Sequence, residues 1–588
     1  MYSKIILFVS ALFIIACSHD SDELISPSER GYELKSGISI IEINNTNDPI
    51  FELFRSNNTV ELQVNTKYIF RVPIVLNDIN NLTINGNNAK FCFPFDGIAV
   101  SILNGKDVLI KDLTIDNKDS SGNYYLSGIE KGRVDVRSSS FISLDNVMLN
   151  EQRKPQDTAK TRKNHIQVNL YNSTNCSVLN SNLRFSNGEL IVVDGSNDCL
   201  IKNNVTYGGW SGIATKGRFI SPGFYRGYRT IVDLNEVYDC TTAGITINDR
   251  QTEVTSNTIK NLGGENVGGP GIRFGHALVD NGANGTMPID HLTAKNCVAR
   301  GNIIDGFLVK NVLPASSPVG IKIDASVDKD GFGSILIEEN QITNCRYGIT
   351  VSGVVGQSGQ ITNNAIQVLG NGIDIFALAN NPAQKFDILG NTITTNGSNF
   401  SSDWGNYAFR YFNSFGTIKG NTINLTSSNK YAAAIGIARN TEHARVTIQE
   451  NILNLNRNHG IFQPGEKEYL QFHRMKKAHI ENNTINNSYI GMLLKCEDSK
   501  ILNNEILDAT GYGMLFWDTS KNNEIAFNTI SVQHSACIRI HNTENTQIHH
   551  NNFALEVGES LYAIYKTAWN GNPTIHSNNN LNFPFINN

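Results

Sequence analysis

Charge is scarce in this chain. Lys, Arg, Asp and Glu make up 18% of its 588 residues and nearly cancel, leaving a net charge of −5. No basic tract stands out, so the usual electrostatic footprint of a nucleic-acid partner is missing. Proline is scarce too, with 14 residues against 49 glycines, a balance that suits strands joined by turns. The nine cysteines form no close CxxC pair, which argues against a zinc site and against a small disulfide-stapled domain. The apolar run from Ile5 to Ile15 is too short to span a membrane as a helix.

What the chain has in abundance is repetition. An aliphatic residue, two mostly polar residues and an asparagine recur from about residue 178 to residue 551, as in Val178-Leu-Asn-Ser-Asn182, Ile201-Lys-Asn-Asn204, Ile337-Glu-Glu-Asn340 and Ile525-Ala-Phe-Asn528. Several spacings fall between 21 and 24 residues, and the longer ones look like that period with insertions. A fixed period of this size is the mark of a solenoid. Its apolar positions alternate with polar ones and are β-branched, which predicts short strands. A second phrase precedes many of the asparagines: Gly244-Ile-Thr-Ile, Gly271-Ile-Arg-Phe, Gly320-Ile-Lys-Ile, Gly348-Ile-Thr-Val. Gly and Asn tolerate the left-handed backbone of a sharp corner, and asparagines at equivalent corners can bond from coil to coil.

This pattern resembles the pectate-lyase-like superfamily of right-handed parallel β-helix proteins, over roughly residues 75 to 580. The resemblance implies an all-β fold, a right-handed parallel β-helix solenoid of about 18 coils, or about 85 Å at the usual strand spacing. It says little about activity, because lyases, hydrolases, epimerases, tailspikes and adhesins share the fold. Ahead of the rod, Ile14-Ile15-Ala16-Cys17 resembles a bacterial lipoprotein signal, with Cys17 the lipidated first residue of the mature chain. The expected layout is a signal at 1–17, a flexible acidic tether at 18–37, a cap at 38–75 over the open first coil, and the β-helix with its own terminal cap at 76–588. By the same resemblance the protein is an outer-membrane lipoprotein facing the outside. Cys176 and Cys199 occupy matching positions of consecutive coils and are expected to stack in the interior.

In a uniform solenoid, places where the period fails carry information. From Asn204 to Asn235 it grows to 31, from Asn257 to Asn302 to 45, and from Asn302 to Asn340 to 38. The additions lie at 217–229, 275–288 and about 312–318. Each is expected to follow a Gly-Ile strand and to leave by one edge of the rod. Long loops on a rigid scaffold are usually functional, and three in neighbouring coils could wall a cleft. A later insertion, 464–474, leaves by the same edge many coils away.

Alternation then predicts which side chains line that cleft. The outward set is Lys216, Thr246, Asn248, Arg250, Arg273, Lys322 and Asp324, with His276 just beyond its strand. The first loop adds Arg218, Tyr225, Arg226, Tyr228 and Arg229, with Trp210 beside it. Guanidinium groups pair bidentately with carboxylates, so this mixture suits an acidic, uronate-containing or sulfated polysaccharide. Eliminative cleavage needs a cation on the substrate carboxylate, a base for the C5 proton and an acid for the leaving oxygen. Lys216, Arg250, Arg273 and His276 are the residues for those tasks, with Trp210, Arg218, Tyr225, Arg226 and Lys322 binding substrate. Parallel β-helix lyases resemble this description, and many use Ca2+, although no clustered acidic calcium site stands out. A glycoside hydrolase would instead need two carboxylates about 5–10 Å apart, for which Asp194, Asp249 and Asp324 are the candidates. A non-catalytic glycan-binding rod is the third reading, and it leaves the loop cluster unexplained.

Overall fold

The computed structural model describes residues 39–587 apart from 96, 117–132, 151–165, 187, 222–223, 263–268, 276–293, 307–317, 325–333, 353–358, 377–385, 397–406, 413–415, 429–431, 439–445, 463–474, 518–519, 556–561, 568–572, 578 and 581–585. Three short strands make a coil. In one of them Leu200–Lys202 and Val205–Tyr207 form the rear, and Ser211–Lys216 forms the front. Each pairs in parallel with its counterpart one coil on, as Leu200 with Ile231, Val205 with Glu236 and Ile213 with Ile245. Among the described residues the front ladder runs through nineteen strands, from Ile74–Asn77 to Ile586–Asn587. Parallel crossovers of this kind are right-handed in nearly every case, and the molecule is a right-handed parallel β-helix. Two long strands, Lys106–Asp116 and Ser140–Asn150, run through both rear ladders.

The recurring asparagine is not the corner residue that adopts left-handed backbone. That residue is the one before it: Asn203 (φ 56°), Leu234 (φ 56°), Glu339 (φ 56°) and Phe527 (φ 59°). The asparagine itself turns inward and is buried. From Asn204 to Asn579 fourteen of them stack without a break, each Nδ2 donating to the next Oδ1 at 2.8–3.0 Å. Asn340 shows the full pattern. Its Nδ2 also donates to the Ala299 carbonyl at 3.0 Å, and its Oδ1 accepts the Asn302 backbone N–H at 3.0 Å. In the coil before Asn204 the stacked residue is Ser181, whose backbone N–H donates to Asn204 Oδ1 at 3.0 Å. Asn182, one residue later, lies outside the row and accepts from Arg184.

The glycine near the start of many front strands is there because the rear sheet comes close. A Cβ on Gly320 would meet Ile342 Cγ2 at 2.4 Å and the Gly348 carbonyl at 2.5 Å. Inside, one continuous apolar core of stacked Ile, Val and Leu extends from Ile43 to Ile564. Cys176 and Cys199 stack within it as free thiols, and every cysteine among the described residues is free and buried. Burial pushes the Cys176 thiol up to about 11. At the amino-terminal end strand Ser39–Ile43 already pairs in parallel with Thr66–Phe70. The short helix Ile50–Leu53 and the rings of Phe54, Phe70, Phe91 and Phe93 pack over that end.

The two rear strands of a coil are joined tightly, by Asn203 and Asn204 for instance, whereas the long connections begin or end at a front strand. Residues 117–133 lead into Val134–Arg137, and 275–296 lead out of Pro270–Phe274. The expected single edge is therefore corrected to two. Residues 312–318 fall before the front strand Val319–Ile323, and 217–229 follow Ser211–Lys216. In chain order, long connections thus precede some front strands and follow others.

Replacing Asn340 by Ala removes two donors, leaves the Asn302 backbone N–H without its acceptor and leaves Asn302 Nδ2 with only the Val254 carbonyl. Stability should fall by about 2–4 kcal/mol in denaturant unfolding, whereas Asn182→Ala should shift it by less than about 0.5 kcal/mol. Equal effects would mean that the asparagine row is not a main support of the coils.

Candidate functional site on the front face

Strand pairing places Thr246, Arg273, Lys322, Thr350, Asp374 and Arg410 in one outward column. Lys216 and Asp324 belong to the next column, two residues along each strand. The cations on this face are not bare. Arg273 Nε donates to Asp324 at 2.5 Å, and Lys322 Nζ lies 2.8 Å from the same carboxylate, so two coils converge on one acid. This group is sheltered, with Arg273 18% and Asp324 14% exposed at the side chain. Lys216 reaches Glu189 at 3.2 Å, a partner five residues before Asp194 on the preceding front strand.

Residues 217–229 contain an antiparallel hairpin in which Arg218–Ser221 pairs with Phe224–Arg226. Arg218 opens it and grips Asp194 through Nε and Nη2, both at 2.6 Å, while Nη1 donates to the Tyr171 hydroxyl at 3.1 Å. The hydrogen bond that Arg218 donates to Asp194 raises the Arg218 pKa above its ordinary value. Tyr225 lies on the return strand opposite Phe219, and Arg226, partly buried, ends that strand. Trp210 precedes the front strand that Arg218 follows. The two are thus at opposite ends of a six-residue strand, not side by side. His276 falls outside the described residues.

Two predicted positions are elsewhere. Asp249 lies inside the rod, 1% exposed, because alternation stops where the chain turns the corner after Asn248. Its Oδ1 accepts from Thr215 and Thr252, each at 2.7 Å. Burial pushes its carboxyl up to about 7 against the opposing pull of the Thr252, Thr215 and Thr230 hydroxyls. Arg250 comes just past the corner, in a row with Tyr228 and Lys295 and not with Arg273. Asp249 is thus sealed away from any substrate. Asp194 and Asp324 are four coils apart, about 19 Å at the usual strand spacing, too far for a hydrolytic pair.

Other charged residues of the face escaped the glycine phrase because another small residue replaces the glycine. Ala408 stands before Phe409-Arg410, and Arg410 pairs with Asp374 through Nε at 2.6 Å and through Nη2. Cys537 stands before Ile538-Arg539. The signal that finds both is the strand register alone. His459 is a buried front-strand imidazole stacked on Phe462 at 4.6 Å, and burial lowers its pKa to about 4. Among the described residues no three His, Cys, Asp or Glu side chains converge to hold a metal. Among the same residues no helix is long and apolar enough to cross a membrane.

A family model described as periplasmic copper-binding protein (NosD) matches residues 470–587, well under half of the chain. No curated protein matches. Among solved structures, the Dettilon tailspike protein is similar at 14% identity and TM-score 0.36, over 57% of this chain and 62% of the tailspike's own length. A PL6 alginate lyase complexed with a trisaccharide is similar at 14% identity and TM-score 0.34, over 60% of this chain and 85% of that one. A tailspike mutant of Escherichia coli bacteriophage HK620 is similar at 11% identity and TM-score 0.32, over 86% and 74%. The fold assignment rests on the strand register, not on these likenesses.

The raised carboxyl of Asp249 has a consequence for stability. The folded chain keeps a proton that the unfolded chain releases between about pH 4 and pH 7, so this residue lowers stability as pH rises through that window. Asp249→Asn should raise stability by on the order of 2 kcal/mol above pH 7 and change it little near pH 4. A uniform loss at both pH values would mean that the ionised carboxylate is itself needed by the fold.

Proposed function

We propose that this protein is a cell-surface enzyme that cleaves an acidic polysaccharide by β-elimination along the front face. The observation that carries the reading is the pair of cations, Arg273 and Lys322, brought by register onto one half-sheltered carboxylate. A uronate carboxylate arriving there would take the place of Asp324 on Arg273. Neutralising that carboxylate is what makes the neighbouring C–H proton acidic enough to remove. Lys216, two coils away, and His276, two residues past Phe274, are the proposed bases. Hydrolysis is not favoured, because Asp249 is sealed inside and the other two aspartates are far apart and ion-paired.

The test is incubation with a panel of uronans, read as the ultraviolet absorbance of unsaturated products. Arg273→Ala should lower turnover roughly a hundredfold, as losing one preorganised electrostatic donor typically does, with the circular dichroism of the rod unchanged. Full activity in that variant would move the chemistry off this group. New reducing ends without the absorbance would mean hydrolysis. The existing neutralisation of Lys216, Arg218, Arg273 and Arg410 by carboxylates favours a second reading, a rod that binds glycan without cleaving it. A wild-type protein that retains uronans but releases no product would decide for it.

Display at the outer membrane through lipidated Cys17 is part of the proposal. Residues 1–38 lie outside the described part of the chain. Cys17→Ser should move the protein from the membrane fraction to the soluble fraction, and persistence in the membrane fraction would contradict the anchor.

A further inference from the structure

Three coils near the carboxyl terminus carry a front face of different chemistry. Their strands, Tyr512–Phe516, Ala536–His541 and Tyr562–Thr567, contain no Asp or Glu. Register sets Leu515, Arg539 and Tyr565 in one outward column. The Arg539 guanidinium carbon lies 5.1 Å from the Tyr512 ring centre and 5.6 Å from that of Tyr565, within cation–π range of both. Its Nη1 donates to the Tyr512 hydroxyl at 2.5 Å. Around it Tyr562 stacks on Tyr565 with ring centres 5.4 Å apart. Trp517 stacks on His541 at 5.5 Å in the next column.

Arg539 is under-satisfied. Its Nε–H is shielded from water and has no acceptor, and no carboxylate among the described residues pairs with it. A buried polar group without a partner in a native structure calls for an explanation. Elsewhere on the front face the Nε–Nη2 edge of an arginine takes both oxygens of an acid, as Arg218 does on Asp194 and Arg410 on Asp374. Arg539 has no carboxylate partner among the described residues, and the rings of Tyr512 and Tyr565 lie within cation–π range of it instead.

We propose that this patch is a binding subsite for a carboxylate-bearing saccharide. The carboxylate takes the Nη1–Nη2 end of Arg539, where Nη1 keeps a second N–H beside its bond to Tyr512, and the faces of Tyr565 and Trp517 cover the sugar rings beside it. Bidentate, charge-assisted hydrogen bonds select the planar acid, and the flat rings supply apolar contact. The proposal rests on the acidic-glycan reading but not on cleavage, since a subsite serves an enzyme and a non-catalytic rod alike.

Calorimetric titration of the full chain with short oligouronates, with their carboxyl-reduced counterparts and with sulfated oligosaccharides tests it. The oligouronate should bind and the reduced form should bind much more weakly. Arg539→Gln should lose roughly tenfold or more in affinity, because both arms of a charge-assisted pair go. Arg539→Lys should lose affinity too, as it keeps the charge without the fork. Arg184→Gln, on a rear strand, should bind like the wild type. Unchanged affinity in both Arg539 variants, equal binding of the reduced sugar, binding of the sulfated sugar alone, or no binding by the wild type would each overturn the proposal. A protein that cleaves nothing yet loses oligouronate affinity in Arg539→Gln would keep this subsite and sink the lyase reading.

Discussion

The rod depends on one contact repeated from coil to coil: a buried asparagine amide that donates to the amide oxygen of the next. Each link satisfies side-chain and backbone groups that the sharp rear corner removes from water, and an unsatisfied group there would cost about 1–3 kcal/mol. The row tolerates no slip. If one coil advanced by a residue, its asparagine would leave the row and its aliphatic residues would face solvent. The same constraint that stabilises the rod therefore fixes the register of every outward side chain on the front, and through register it decides which charges meet.

Meeting is what separates the front face from a list of charged residues. Arg273 and Lys322 are 49 positions apart in the chain and adjacent in the ladder, and Asp324 serves both. Arg218 reaches back one coil to Asp194 and two to Tyr171. Ion pairs at the exposed end of this range, such as Arg218 with Asp194, add little stability. Their order along one face is what the proposed recognition of a charged polymer would use.

Much of the fold was legible in the chain because a solenoid repeats its physics: the aliphatic-x-x-Asn phrase marks the buried row, and Gly-Ile-x-Ile marks the front strand. The site was less legible, for reasons that can be traced to single residues. Asp249 and Arg250 follow the alternating strand in sequence, but the chain turns after Asn248, so one enters the core and the other rounds the corner. Arg410 and Arg539 were hidden because Ala408 and Cys537 fill the place of the glycine. The repeated phrase points to Asn182 as a member of the row, although Ser181 holds that place. Pairing between distant residues, such as Lys216 with Glu189, is set by register and cannot be seen in a linear pattern.

The central claim is that an acidic glycan lies along the front ladder. Arginine-specific chemical labelling read by mass spectrometry, with and without a saturating uronan, tests it most directly. The account predicts that Arg273, Arg410 and Arg539 are protected while Arg184 and Arg300 on the rear strands label as before. Protection of the rear arginines with the front ones unchanged would contradict it.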